Sequence, residues 1–426
     1  MRNIVLVTLD SVRADHCSFM GYHRETTPTL DKMAREGLVF ENAIAAGVGT
    51  PASMMGAFTG NFAPLADEIN SKLWREEFKR RKTLAQVLSK LGYSTGAVVP
   101  NTFASSYFGF NKGFQYFQDF LGGKTKFYER IFERVFRKNG KTAFFIRNLM
   151  NFVLKREVFT PWEKYYEEIT DWVEKTKEPF FLWILLMDTH FPYLAPRKFR
   201  KRSSFLSMYC SNWKLQSVNF ENRLIERERQ KLIDAYDDSI RYADEFVKRL
   251  IKDLKDYDPI YIIHSDHGEG FGEHGFYMHG FIRNKAVCLY EELIHIPLII
   301  YNADIMGRIK EPVSLLGLSP TILEIIDKNN EFPSKSFLRS GNEWVMVGAV
   351  ENGRIKIAIR MKNWKFITGQ KDVDELYNLK SDPHEQENVI NEYPELAKEM
   401  RRIVEIHVKQ EMEKRKIRER ISRIKL

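Results

Sequence analysis

Apolar positions along the chain fall into short, unbroken runs separated by longer stretches of helical period. The runs are "NIVLVTL" (3–9), "TGAVV" (95–99), "FFLWILLM" (180–187), "IYIIH" (260–264) and "IPLII" (296–300). Runs without polar alternation predict strands buried on both faces, as in a parallel sheet. Between them, "TPTLDKMAREG" (27–37), "TLAQVLSKLG" (83–92) and "DDSIRYADEFVKRLIKDLKD" (237–256) carry one apolar face each. Thr27-Pro28 opens the first as an N-cap and first-turn pair, and Gly37 stops it. Strands alternating with helices predict a doubly wound α/β domain.

Two regions depart from this pattern. Residues 121–175 are Phe-rich, basic and helical in period, and read as a helical insertion over the core or over a substrate entrance. Beyond about residue 330, "WVMVGAV", "IKIAIRM" and "WKFITGQ" predict antiparallel strands, with turns at Asn352-Gly353 and around Gly369. A helix over 393–424, with an apolar stripe through Ile403, Ile406, Ile417, Ile421 and Ile424, closes the chain. The expected division is a catalytic α/β domain over 1–330 and a small sheet subdomain with a basic end helix over 331–426.

Composition narrows the class. The chain has 426 residues, 43% hydrophobic, which suits a packed globular protein. Cys17, Cys210 and Cys288 make neither a disulfide framework nor a CxxC metal pair. The N-terminal apolar run is short, ends at Asp10 and lacks a small-residue cleavage site, so it reads as a strand and not a signal peptide. No run approaches the ~20 residues that span a bilayer. A cytoplasmic protein is expected. The net charge of +9 suits anionic substrates or surfaces. From Lys409 to Leu426 there are eight Lys or Arg against three Glu. The Phe-rich insertion and this basic tail together mark a candidate peripheral contact with anionic membrane. No nucleic-acid module is present, so nucleic acid is disfavoured as a partner. Oligomeric state is not legible.

The chemistry gathers at strand ends. One run ends in Asp10-Ser11, another in Asp188-Thr189-His190, and a third in Ser265-Asp266-His267-Gly268. In open α/β sheets, ligands bind beyond the carboxyl ends of strands. Asp10, Asp266 and His267 offer oxygen and nitrogen ligands for one divalent metal ion, with calcium, manganese and zinc all admitted. Gly47–Gly60, "GVGTPASMMGAFTG", holds no charged residue. A helix expected from about Ala52 would aim its N-terminus at an anion. Thr50 just ahead of it is the candidate hydroxyl, as metal ligand and nucleophile. The blander alternative for Thr50 is a helix cap. Ser53 is a rival nucleophile. His264, His274 and His295 read as structural.

"NIVLVTLDSVRADHCSFMGYHRETTPTLDKMAREGLVFENA", "TPASMMGAFTG", "HSDHGEGFGEHG", "HGFIRNKAVCLYEELIHIPLII" and "ELYNLKSDPHEQENV", in this order, resemble the sulfatase family of the alkaline-phosphatase superfamily. The resemblance implies a central mixed sheet flanked by helices, a smaller C-terminal antiparallel sheet, and metal-assisted two-step ester cleavage. It implies Asp10, Asp266 and His267 as metal ligands, and His190 and His279 as catalytic groups near substrate or leaving group. Lys285 is a weaker anion-binding alternative, and Asn101 is the polar candidate where sulfatases place Lys and His. Ser11 stands where the family has a second aspartate. Thr50 stands where the family matures a Cys or Ser to formylglycine, and Met54 where it has Arg. A threonine alkoxide suits phosphoryl transfer. The expected activity is therefore phosphodiester or phosphoester hydrolysis of an anionic substrate. Sulfate-ester hydrolysis, phospho-group transfer onto a lipid or glycan, and a non-catalytic binding relative are the alternatives.

Overall fold

The computed structural model describes residues 1–64, 72–120, 161–218, 223–279, 288–338, 341–351, 354–369 and 373–424. The expected helices of 121–160, the turn at Asn352-Gly353 and Lys285 lie outside them. Eight strands form one sheet: β1 (Ile4–Leu9), β2 (Leu38–Phe40), β3 (Ser94–Val98), β4 (Tyr116–Gln118), β5 (Phe180–Leu186), β6 (Ile260–Ser265), β7 (Leu298–Tyr301) and β8 (Gly307–Ile309). Their order is β8-β2-β7-β6-β1-β5-β3-β4. From β6 through β4 every pairing is parallel, whereas β7 runs antiparallel to both β6 and β2. The sheet is thus mixed, and not the all-parallel one that the apolar runs alone predict.

Alternate strand residues feed two separate cores, as the two-residue period requires. Ile4, Leu6, Trp183, Leu185 and Ile262 face the helices Thr50–Thr59, Leu84–Lys90 and Leu318–Ile325. Val5, Val7, Leu182, Ile184 and Ile263 face the helices Pro28–Glu36, Tyr166–Lys175 and Glu226–Asp253. Thr83 caps its helix in a reciprocal box with Gln86. Thr27 does not cap the helix it precedes. Asp244, reaching across from Glu226–Asp253, accepts from Thr29 N and Leu30 N instead. Burial pushes the Asp244 carboxyl up to about 6.

A second, four-stranded antiparallel sheet comprises β9 (Trp344–Glu351), β10 (Arg354–Met361), β11 (Trp364–Gly369) and β12 (Glu375–Asn378), paired in sequence order. One face packs Ile357, Ile359 and Phe366 on Ala397, Met400 and Val404 of the helix Pro394–Ile424. The other packs Val347, Ala358 and Ile367 on Leu289, Leu293 and Ile294. No helix among the described residues is long and apolar enough to cross a membrane.

Candidate active site

Register brings the strand-end residues together. β1 lies between β5 and β6, with Leu9 opposite both Leu186 and Ser265. The three strands therefore stop level, and the segments leaving them share one edge. Thr189 Oγ1 donates to Asp10 O at 2.6 Å, and Val12 N donates to Ser265 Oγ at 2.8 Å. Asp188 does not join the cluster; its Oδ1 accepts from Trp162 N at 3.3 Å.

Asp10, Asp266 and His267 are fully buried, with ligand atoms within 4.8 Å of one another. Ser11 takes a left-handed φ of 62°, which turns its N–H to Asp266 Oδ1 at 3.1 Å and its hydroxyl to Asp10 Oδ1 at 2.8 Å. It thus ties two carboxylates together where the family has a third. His267 Nδ1 donates to Gly268 O at 2.8 Å, which leaves Nε2 as a lone pair. That Nε2 lies 3.5 Å from Asp266 Oδ2 and 3.8 Å from Asp10 Oδ1. Among the described residues, neither Nε2 nor Asp266 Oδ2 has a hydrogen-bond partner. Buried polar atoms are ordinarily paired. Two orphaned acceptors converging beside a second carboxylate fit a divalent cation. Burial, then the Asp10 charge, pushes the Asp266 carboxyl up to about 6. Burial also raises Asp10, but His190, His267 and His279 outweigh it and leave that carboxyl below its usual value.

Thr50 opens the helix Thr50–Thr59, two residues earlier than expected. Gly49 before it sits at φ 85°, a conformation that favours glycine. Thr50 Oγ1 donates to Asp10 Oδ2 at 3.4 Å and lies 3.5 Å from Asn101 Nδ2. Asn101 itself donates to Asp10 Oδ2 at 2.7 Å, so it belongs to the cluster. Ser53 donates to Asp266 O at 2.6 Å and so pins its helix to the backbone of that residue. Met54 is buried in the core.

The candidate histidines form a second group beside the first. His190 Nε2 faces His279 Nε2 at 3.1 Å, a contact that needs one N–H and one lone pair. His190 Nδ1 is 2.6 Å from Phe191 O. His279 Nδ1 pairs with Glu269 Oε1 at 3.0 Å, and Glu269 Oε2 accepts from Tyr193 OH at 2.7 Å. The rings of His267 and His279 lie 4.3 Å apart. Glu269 and Tyr193 are fully buried members that the sequence did not single out. The signal available was an acid two residues beyond His267. Gly268 between them is required, because a Cβ there would meet Glu292 O at 2.0 Å.

The histidines read as structural are so placed. His264 bonds Thr8 Oγ1 at 3.0 Å, and burial pushes it down to about 4. His274 lies between Glu292 and Glu385, and His295 bonds Glu41 O at 2.8 Å.

The sulfatase family model matches residues 2–328. The arylsulfatase of Clostridium perfringens is 25% identical over 476 residues, covering 94% of this chain and 93% of that protein. The phosphoethanolamine transferase EptA of Helicobacter pylori is 26% identical over 308 residues, covering 70% of this chain and 47% of that protein. The phosphonate monoester hydrolase of Agrobacterium radiobacter has the same fold, with a TM-score of 0.70 at 14% identity and 96% of each chain covered. The strand-end cluster, the mixed sheet with its separate small sheet, and the family match together assign this chain to the sulfatase family, a family of ester hydrolases and related transferases.

Proposed function

We propose that the chain is a metal-dependent phosphoester hydrolase, acting by preference on diesters, with Thr50 as its nucleophile. The observation that carries this reading is the Thr50 hydroxyl at a helix N-terminus, 3.4 Å from Asp10 within the cluster. No cysteine stands there: Cys17, Cys210 and Cys288 are elsewhere. Asp10, Asp266, His267 and Thr50 would hold a divalent cation, whose charge lowers the pKa of a hydroxyl and offsets the charge of substrate oxygens. Thr50 Oγ passes its proton to Asp10 Oδ2, to which it donates, and attacks phosphorus as the bond from phosphorus to the leaving oxygen breaks; that proton returns to Oγ when the ester opens. The His190–His279 pair gives that oxygen a proton. Water then attacks phosphorus, the Thr50 ester opens, and the same pair takes the proton back. Asn101 orients Asp10 and Thr50 for the first step.

The test compares an aryl phosphodiester with an aryl sulfate, using metal-reconstituted protein and the Thr50→Ala variant. Diester cleavage that Thr50→Ala abolishes is expected. Sulfate cleavage as the main activity would overturn the reading, and the near full-length match to an arylsulfatase makes this the sharpest rival. A second reading, transfer of the phospho-group to an alcohol, is favoured by the match to a phosphoethanolamine transferase. It shares the first step and differs in the acceptor. Turnover that rises when an alcohol is added, with phosphorylated alcohol as product, would select it.

A further inference from the structure

The helix Phe205–Ser217 packs Met208 and Leu215 into the core and still leaves Phe205, Leu206 and Trp213 exposed on its other side. Its buried positions are Met208, Ser211, Asn212 and Leu215, and Asn212 is committed to backbone, accepting from Tyr193 N and donating to Tyr193 O. Its outer apolar positions are Phe205, Leu206, Cys210 and Trp213, with Tyr209 half-buried beside them. Phe205 is 41% exposed, Leu206 66% and Trp213 51%. A surface helix ordinarily turns polar residues to that side. A contiguous exposed apolar patch marks an interaction surface.

The chain entering this helix reads "RKFRKR" over 197–202, and no Asp or Glu occurs from Arg197 to Ser217. Asp238 fixes the segment by accepting from the backbone N–H groups of Lys201, Arg202 and Ser203. The Arg200 guanidinium lies 5.4 Å over the Phe205 ring, so the basic run and the apolar patch are continuous. Arg197, Lys198, Lys201 and Arg202 are exposed. Of these, Lys201 has a surface partner, Glu25, at 3.6 Å.

We propose that this face seats on a bilayer surface containing anionic phospholipid. Fixed cations beside Trp, Phe and Leu are the chemistry of an interfacial helix: headgroup phosphates take the charge and the acyl boundary takes the apolar patch. A helix of 13 residues is too short to span a bilayer, so it lies in the plane. A second copy of the chain is a poorer occupant, because two like-charged faces would meet. The proposal is independent of the chemistry at Thr50.

The full chain is floated with phosphatidylcholine vesicles and with mixed phosphatidylcholine–phosphatidylglycerol vesicles. It should float with the mixed vesicles alone, and less as salt rises. Replacing Arg197, Lys198 and Arg202 by Ala should lower partitioning about 100-fold. Leu206→Ser with Trp213→Ser should lower it at least about tenfold. Circular dichroism and metal content verify that the variants fold. In the native chain, the emission contributed by Trp213, obtained by difference from Trp213→Phe, should shift to the blue on mixed vesicles. Failure to float, equal flotation on neutral vesicles, retained binding in both variants, or an unchanged Trp213 emission would each overturn the proposal. So would self-association of the native chain that Leu206→Ser with Trp213→Ser abolishes, because the face would then belong to a second copy.

Discussion

Two buried charged clusters in this molecule are built on opposite terms. Where the second sheet meets the main body, Glu291 and Glu385 face Arg360 and Lys365. Lys365 Nζ lies 2.8 Å from Glu385 and 3.2 Å from Glu291, and Arg360 Nε lies 3.2 Å from Glu291. Glu385 also accepts from Glu291 N at 2.6 Å. Two acids meet two bases. At the strand ends, among the described residues, Asp10 and Asp266 pair with no Lys or Arg, and Asp266 Oδ2 and His267 Nε2 have no hydrogen-bond partner. A cluster that only holds the fold together neutralises itself. The strand-end cluster, among the described residues, sets only histidines against its two carboxylates, which suits a cation site.

This contrast can be broken by mutation. Thr50→Ala should lower turnover at saturating metal at least about 10⁴-fold while leaving thermal stability nearly unchanged, because the nucleophile acts in the chemical step. Steady-state rates with metal analysis check this. Lys365→Met should do the opposite. Removing one partner strands buried carboxylates and costs about 3–5 kcal/mol. Denaturant unfolding should reveal that loss, with metal affinity retained in the folded fraction.

Protons should compete with metal at the strand-end cluster. With the metal-free Asp266 carboxyl at about 6, above its usual 3.8, the proton is bound more tightly in the folded state. Apparent metal affinity should fall about tenfold per pH unit below about 6, as the proton takes the ligand oxygen. Isothermal titration across that range tests it, and a flat profile would remove Asp266 from the ligand set. The smallest effect expected is that of Tyr193→Phe. It deletes one hydrogen bond to Glu269, behind His279, and should slow turnover about fivefold, the worth of about 1 kcal/mol.

The legible parts of this architecture are those where residue type and strand position agree. β1, β5 and β6 are continuous apolar runs, and the polar residues that follow them are Asp10, His190, Asp266 and His267. Short elements were not legible. β4 has three half-buried residues at the sheet edge, and β2 and β8 are equally short. The long helix starts at Glu226 and not near 237, because its first six residues, "ERERQK", are all polar and show no apolar face. Asp188 reads as a site carboxylate by position and turns away to Trp162, a choice made by the chain's path after β5. Glu269 and Tyr193 were invisible as a pair because only folding brings them together, although each sits beside a recognised residue.

The claim that Thr50 becomes covalently bonded in turnover is the most direct point of test. Metal-reconstituted protein would be quenched with acid during turnover of an aryl phosphodiester and digested. Mass spectrometry of the Gly47–Gly60 segment would follow. The account expects the transferred phosphoryl group on Thr50. An unmodified segment under active turnover, or an adduct on Ser53, would contradict it.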